Sequence, residues 1–155
     1  MAGALVVLAP LAGRSMPLAE VPDPVFAAQM VGSGAAVEPP AGESFDVVSP
    51  VAGTIVKLLP HAFVVVDGSG RGVLTHVGID TVKLKGEGFE LLAAKGDTVD
   101  AGAPVMRVDP AAAVAAGYSM VSPVVVLDTK PDTATVLASG QVAAGAELFS
   151  VNGAG

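Results

Sequence analysis

Glycine and proline interrupt the sequence at short intervals, and this spacing constrains the fold more than any other feature. The 155 residues include 19 Gly and 12 Pro, spread along the whole chain. Between them lie short runs of Val, Ile, Leu and Phe that are too short for core-building helices. The pattern predicts an all-β fold, either a sandwich or a barrel.

Individual strands can be predicted from these apolar runs. Examples are residues 4–8, 53–59, 62–66, 73–77, 105–108, 124–128, 135–137 and 148–151. Only short helical turns are expected, at residues 24–30 and 111–116. The length suits a single domain over residues 1–155 with one hydrophobic core.

The chain repeats parts of itself. Residues 9–13 (APLAG) resemble residues 49–53 (SPVAG), and residues 122–124 (SPV) form a third partial copy. Residues 99–105 (VDAGAPV) resemble residues 142–148 (VAAGAEL). The spacing is too irregular for a solenoid. These repeats predict a β-fold with approximate internal symmetry.

Charge and composition exclude several classes of function. The net charge is −7, and the eight Lys and Arg residues are scattered, so no basic patch for nucleic acid is expected. No apolar run approaches the ~20 residues of a membrane span, and no secretory signal pattern is present, so we expect a cytoplasmic protein without direct membrane insertion. The absence of cysteine excludes disulfides and thiolate nucleophiles.

The two histidines of the chain, His61 and His76, fall in one predicted hairpin. Gly68 and Ser69 suit a two-residue type II′ turn, which takes glycine first. That turn places His61 directly opposite His76 on one face of the sheet, with Cβ atoms roughly 4.5–5.5 Å apart. A one-residue bulge would instead put them on opposite faces.

Two facing imidazoles are compatible with three kinds of chemistry. They can bind a metal with Asp80 as a third ligand, act as an acid–base pair, or carry a phosphoryl group. In a phosphoryl carrier, one neutral imidazole attacks phosphorus, and the other imidazole holds the phosphate oxygens with the N–H groups of Val77 and Gly78. Residue chemistry alone leaves these three alternatives open.

A longer pattern around the second histidine adds a resemblance to a known family. Residues 75–89 (THVGIDTVKLKGEGF) closely resemble the signature of the glucose-type IIA domain of the bacterial phosphoenolpyruvate-dependent sugar phosphotransferase system. Residues 61–63 (HAF), 21–26 (VPDPVF) and 49–55 (SPVAGTI) resemble other segments of that family, and residues 95–99 and 140–142 resemble its later turns. The resemblance covers about residues 4–152.

The resemblance implies a fold, a reaction and a set of partners. The fold would be a jelly-roll-like β-sandwich with internal duplication. The domain would receive a phosphoryl group from the histidine phosphocarrier HPr and pass it to a cysteine of a IIB domain in a membrane sugar permease, with no cofactor. His76 would accept the group and His61 would hold the phosphate.

The same resemblance implies supporting residues. Val77, Gly78 and Asp80 would assist at the site, and an apolar patch of Val25, Phe26 and Phe63 would receive the partners. There are two departures from the family pattern. Leu59 stands where the family often has a threonine bonded to its first histidine, and Val77 stands where it often has phenylalanine.

Other functions remain as alternatives at this level. The fold could serve a non-catalytic regulatory domain that binds target proteins, although the presence of both histidines favours the carrier. A lipoyl-type carrier would need a lysine hairpin that the sequence lacks. No metal is required, but His61 and His76 should form a weak zinc site. The sugar is not specified, and glucose, N-acetylglucosamine and related sugars all remain open.

Overall fold

The computed structural model describes residues 4–152, and short strands dominate its regular structure. The strands are β1 Leu5–Leu8, β2 Gly13–Pro17, β3 Gly32–Glu38, β4 Phe45–Val48, β5 Gly53–Leu59, β6 Ala62–Val66, β7 Gly72–His76, β8 Phe89–Leu91, β9 Thr98–Val99, β10 Pro104–Val108, β11 Ser122–Leu127, β12 Ala134–Val136, β13 Gly140–Val142 and β14 Glu147–Val151. Helices α1 (Pro24–Ala27) and α2 (Ala111–Ala116) and 3₁₀ turns at Leu18–Glu20 and Thr81–Leu84 complete the described elements. The prediction of an all-β chain with only short helical turns is confirmed.

The strands form three antiparallel sheets. One sheet has eight strands in the order β13-β2-β3-β11-β7-β6-β5-β9, and two have three strands each, in the orders β1-β14-β12 and β4-β10-β8. Successive side chains in the large sheet alternate between two apolar clusters, as the pleat of a strand requires. The main core includes Val73, Val77 and Phe63, and a smaller cluster on the opposite face includes Phe26 and Ile79.

Hydrogen bonds show that the first sequence repeat is a structural duplication. The N–H of Leu8 donates to the carbonyl of Pro50 at 2.9 Å, and the N–H of Val48 donates to the carbonyl of Pro10 at 2.7 Å. These bonds are reciprocal because each repeat presents the same two groups to the other. The predicted equivalence of residues 9–13 and 49–53 is therefore confirmed.

The second repeat is duplicated in the same way. The N–H of Gly145 donates to the carbonyl of Ala9, and the N–H of Gly102 donates to the carbonyl of Ser49, both at 2.8 Å. The strand orders follow this symmetry. Strands β1, β2 and β3 of one half correspond to β4, β5 and β6 of the other. Strands β11, β12, β13 and β14 correspond to β7, β8, β9 and β10. The partial copy at residues 122–124 was wrongly assigned to the first repeat, because Ser122 begins β11, whose counterpart is β7.

Strand registers extend the correspondence to the centre of the large sheet. In β3, Val37 pairs with Ser122, and its counterpart in β6, Val65, pairs with Val73. Ser122 therefore corresponds to Val73. Two residues further along each strand, Val124 corresponds to Thr75, and Val124 and Thr75 pair directly with each other. The approximate twofold axis thus passes between β7 and β11.

Several strands were not predicted, and β3 shows why. Its glycines resembled turn signals in the sequence, but they lie within the sheet. A Cβ atom on Gly34 would collide with the carbonyl oxygen of Val124 in the neighbouring strand. Glycine here permits a close approach of two backbones, which short-range pattern does not distinguish from a turn.

Thr75 offers a test of the duplication. Its hydroxyl is fully buried toward the main core and has no hydrogen-bond partner among the described residues. Because an unpaired buried hydroxyl costs free energy and the counterpart Val124 occupies the equivalent place without one, Thr75→Val should raise the free energy of unfolding by about 1–2 kcal/mol. Urea denaturation measures this change.

Thr81→Val serves as the control for that experiment. The hydroxyl of Thr81 is equally buried but donates to the carbonyl of Val77 at 2.6 Å, so its removal should lower the free energy of unfolding. A loss of stability in Thr75→Val would contradict the equivalence of Thr75 and Val124.

Candidate functional site

The hairpin that carries His76 has a different register from the predicted one. In the structure His76 pairs with Ala62, not with His61. The loop is one residue longer than a two-residue turn, because the N–H of Asp67 bonds to the carbonyl of Arg71 at 2.9 Å. Gly70 has a positive φ of 89° there, which gives the three-residue loop its bulge.

His61 nevertheless lies beside His76. It follows Pro60 in the tight turn between β5 and β6, where Leu59 pairs with Ala62. Its carbonyl accepts a hydrogen bond of 2.7 Å from the N–H of Val77, which fixes the turn against the end of β7. The two imidazole rings meet edge to face, with centroids 5.1 Å apart and planes at 73°. The predicted proximity is thus present, although the turn and not a cross-strand pair produces it.

A short hydrogen bond orients the ring of His76. Its Nδ1 lies 2.6 Å from the carbonyl oxygen of Gly78. A carbonyl can only accept, so Nδ1 carries the proton and Nε2 of the neutral ring keeps its lone pair. The ring of Phe26 packs 5.3 Å from that of His76. The hydrogen bond to Gly78 therefore favours the neutral tautomer of His76 in which Nε2 keeps its lone pair.

Burial favours the neutral form of both imidazoles. The pKa of His76 lies below the ordinary 6.5, chiefly because burial disfavours its charged form, while the Gly78 carbonyl and the charges of Asp23 and Asp80 oppose that shift. The pKa of His61 is also lowered, first by burial and then by repulsion from His76. Two neutral imidazoles suit nucleophilic attack on an electrophilic centre such as phosphorus.

The expected N–H donors of Val77 and Gly78 are engaged elsewhere. Val77 N–H bonds to His61, and Gly78 N–H donates to the hydroxyl of Ser122 at 3.2 Å. Strand pairing and a buried serine already use these two N–H groups in this structure, so neither is free to hold a phosphate here. Gly78 instead contacts His76 through its carbonyl.

Two carboxylates flank the histidines. Asp80 has a left-handed backbone (φ 63°), is half exposed and lies 3.9 Å from the ammonium group of Lys83. Asp23, which sequence reasoning did not single out, accepts hydrogen bonds from the N–H groups of Val25 and Phe26 at the start of α1. An Asp directly before a proline at a helix start was the available signal.

The metal alternative loses its proposed third ligand. Within residues 4–152, His, Cys, Asp and Glu side chains form no group of three or more that could hold a metal ion. Asp80 therefore does not complete a site with His61 and His76, and any zinc would depend on ligands from outside the chain.

The apolar surroundings differ from the predicted docking patch. Val25 is 43% exposed, as a docking residue should be, whereas Phe26 is 7% exposed and packs under His76. Phe63 is 0% exposed, because it pairs with Thr75 and points into the main core. Its prediction as a docking residue is wrong, and the buried Val77 likewise contributes no docking surface.

Other side chains line the accessible surface at the histidines. A shallow depression contains both imidazoles and is bordered by Lys57, Leu59 and Leu127. Leu59, more than one third exposed, presents a hydrocarbon side chain where a threonine would offer a hydroxyl. We call this surface the histidine depression.

In the described part of the chain, no helix has the length and hydropathy needed to cross a membrane.

Comparisons with known proteins show which family and fold this chain resembles. The family model for the phosphoenolpyruvate-dependent sugar phosphotransferase system, EIIA 1, matches residues 5–131. A glucose-specific EIIA component from Staphylococcus aureus is 39% identical over 127 residues, which cover 81% of this chain and 75% of the relative. The solved glucose permease IIA from Mycoplasma capricolum superposes with a TM-score of 0.86 at 34% identity, covering 96% of each chain.

Longer relatives contain a similar segment within a larger protein. An N-acetylglucosamine-specific EIICBA component from Klebsiella pneumoniae is 40% identical over 151 residues, and a glucoside-specific EIICBA component from Staphylococcus carnosus is 37% identical over 152. This chain spans 23% and 22% of their respective lengths. Together with the fold and the paired histidines, these matches establish that the chain belongs to the EIIA 1 family of the phosphoenolpyruvate-dependent sugar phosphotransferase system.

Proposed function

We propose that His76 carries the phosphoryl group and that its Nε2 is the accepting atom. The hydrogen bond from Nδ1 to the Gly78 carbonyl supports this assignment most directly, because it leaves the lone pair on Nε2. Burial supports it further by keeping the ring unprotonated at neutral pH.

The reaction consists of two displacements at phosphorus. In the first, the lone pair of His76 Nε2 attacks the phosphorus of phosphorylated HPr, and the N–P bond of the donor histidine breaks with its electron pair returning to the donor nitrogen. In the second, a cysteine thiolate of a IIB domain attacks the same phosphorus, and the N–P bond to His76 breaks. Nδ1 keeps its proton throughout.

His61 assists by contacting the transferred group. Its ring lies edge to face with that of His76, so an N–H of His61 can donate to a phosphate oxygen when the group is attached. Its lowered pKa makes the neutral donor the resting form. Lys57, at the border of the histidine depression, adds a positive charge near the phosphate.

The partners follow from the family and from the surface. Relatives that join IIC, IIB and IIA parts in one polypeptide support a IIB domain as acceptor, and HPr is the donor that the family implies. Val25 provides exposed apolar surface next to Phe26, while Asp23 and Asp80 can meet basic groups of a partner. We place the reaction in the cytoplasm, with glucose or N-acetylglucosamine as the sugar classes that the relatives suggest.

The first test separates the roles of the two histidines. His76→Ala should abolish labelling from phosphoenolpyruvate through the two upstream carrier proteins, of which HPr is the second, because it removes the nucleophile. His61→Gln should still accept the group from HPr but fail to transfer it to IIB, because the phosphate loses its second ligand. Acid-labile, base-stable label measures both steps. Normal labelling of His76→Ala, with a block in His61→Gln, would show that the roles are reversed.

The second test concerns protonation. Since the pKa values of both histidines are lowered, the unfolded chain binds more protons than the folded one as pH falls through 6.5. The free energy of unfolding should therefore decrease from pH 6.5 down to the folded-state pKa values. NMR titration should place both pKa values below 6.5.

Repulsion between the rings can be isolated with a variant. In His76→Gln, the pKa of His61 should rise toward 6.5, since the charge of His76 no longer repels its proton. An unchanged pKa of His61 in that variant would mean that burial alone lowers it.

The third test concerns docking. Val25→Asp places a charge on the exposed side of α1 and should slow both transfers by about tenfold, as expected for the loss of one good apolar contact. Phe26 is less suitable because it is buried and its replacement would disturb folding. Val136→Asp, at an exposed apolar position on β12, serves as control. Equal rates in both variants would exclude Val25 from the shared docking surface.

A further inference from the structure

We propose that Ser122 is a positioning residue for His76: its buried hydroxyl holds the Gly78 backbone and so aims the Gly78 carbonyl at Nδ1. This inference rests on the proposed function of His76 and assigns a role to a residue 44 positions away in the sequence. Ser122 acts through Gly78 and not on the phosphoryl group itself.

The hydroxyl of Ser122 uses both of its hydrogen-bonding roles. It accepts from the N–H of Gly78 at 3.2 Å and donates to the carbonyl of Met120 at 2.9 Å. Ser122 is 0% exposed. Water therefore cannot readily take its place, and removing the hydroxyl would leave the Gly78 N–H buried without this partner.

Hydrogen bonds hold the backbone on both sides of Gly78, and Ser122 supplies one of them. The φ of Gly78 is +79°, a conformation that glycine adopts without strain but does not enforce. Ser122 holds the peptide before Gly78, and the peptide that contains the Gly78 carbonyl is held by the N–H of Ile79, which donates to the carbonyl of Ser119 at 2.8 Å. Residues 119–122 therefore anchor the two N–H groups around Gly78, and its carbonyl faces His76.

The internal duplication separates the contribution of Ser122 from general requirements of the fold. The bond from Thr81 to the carbonyl of Val77 has a counterpart in the other half, where the hydroxyl of Thr129 donates to the carbonyl of Val126 at 2.7 Å. Ser122, by contrast, corresponds to Val73, which has no hydroxyl. A bond found in both halves serves the fold, whereas the bond from Gly78, in the half that carries the histidines, to Ser122, in the other half, has no symmetry-related equivalent.

The consequence for His76 concerns its tautomer. While the Gly78 carbonyl faces Nδ1, the proton stays on Nδ1 and the lone pair on Nε2. If Gly78 rotates away, the proton can move to Nε2, and that tautomer cannot attack phosphorus there. Loss of Ser122 should therefore lower the fraction of reactive imidazole without touching the docking surface.

Ser122→Ala and Ser122→Thr test the proposal with two readouts. Nitrogen-15 NMR of the unphosphorylated protein reports the tautomer of His76, and rapid-quench labelling from phosphorylated HPr reports the rate of acceptance. In Ser122→Ala we expect a mixture of tautomers and a rate lower by about tenfold, equivalent to the loss of one hydrogen bond. Ser122→Thr keeps the hydroxyl and should show the wild-type tautomer of His76 and the wild-type rate of acceptance.

Ser49→Ala is the matched control. Ser49 is equally buried and donates to the carbonyl of Val51 at 2.6 Å, but it has no contact with the histidine site. It should lose stability without changing the tautomer of His76 or the rate. If Ser122→Ala does not fold, Ser122→Cys replaces it, since a thiol has similar shape and is a weaker acceptor.

The two readouts distinguish failure of this inference from failure of the proposed function. A folded Ser122→Ala or Ser122→Cys protein with a wild-type tautomer and rate would overturn the role of Ser122. The other failure is distinct. If the tautomer of His76 shifts in the Ser122 variants but the His76→Ala variant is still labelled, the positioning effect of Ser122 stands and His76 is refuted as the acceptor.

Discussion

The antiparallel pairing of β7 with β11 joins the two halves of the duplicated fold, and the histidine site depends on it. Because the strands are antiparallel, the end of β7 at His76 lies beside the beginning of β11 at Ser122. This pairing explains how Gly78 meets a hydroxyl 44 residues away. The pairing of β7 with β11 therefore both stabilises the sheet and positions the backbone beside His76.

Duplication gives two equivalent places, but only one of them carries the histidines. By the strand registers, His61 corresponds to Ser33 and His76 corresponds to Val125, and both counterparts are 1% exposed. The other half thus fills the equivalent positions with buried packing and a buried hydroxyl. The internal symmetry accounts for the strand framework that the two halves share, whereas the two histidines are present in only one half.

The sequence predicted elements better than orientations. β5, β6 and α2 were predicted with their observed bounds, since their apolar runs end at clear turn signals. The register of the histidine hairpin was wrong by one residue, because Gly68, Ser69 and Gly70 allow either a two- or a three-residue loop. Phe63 was assigned to the docking patch from the family resemblance, but it lies on the face of β6 that points into the main core and not on the face that carries His76. The role of the Gly78 carbonyl depends on a contact with Ser122 that no local pattern contains.

Opposing electrostatic effects at His76 suit a carrier whose bound group must leave again. Burial lowers its pKa and keeps the nucleophile neutral, whereas Asp23 and Asp80 contribute negative charge nearby. Under the proposed function those carboxylates also disfavour a phosphoryl group on His76, because like charges repel. A basic partner that docks on Asp23 and Asp80 would relieve this repulsion during transfer and restore it on leaving. The phosphorylated state is then only moderately stable. A relay between two partners requires this, because the group must leave His76 again.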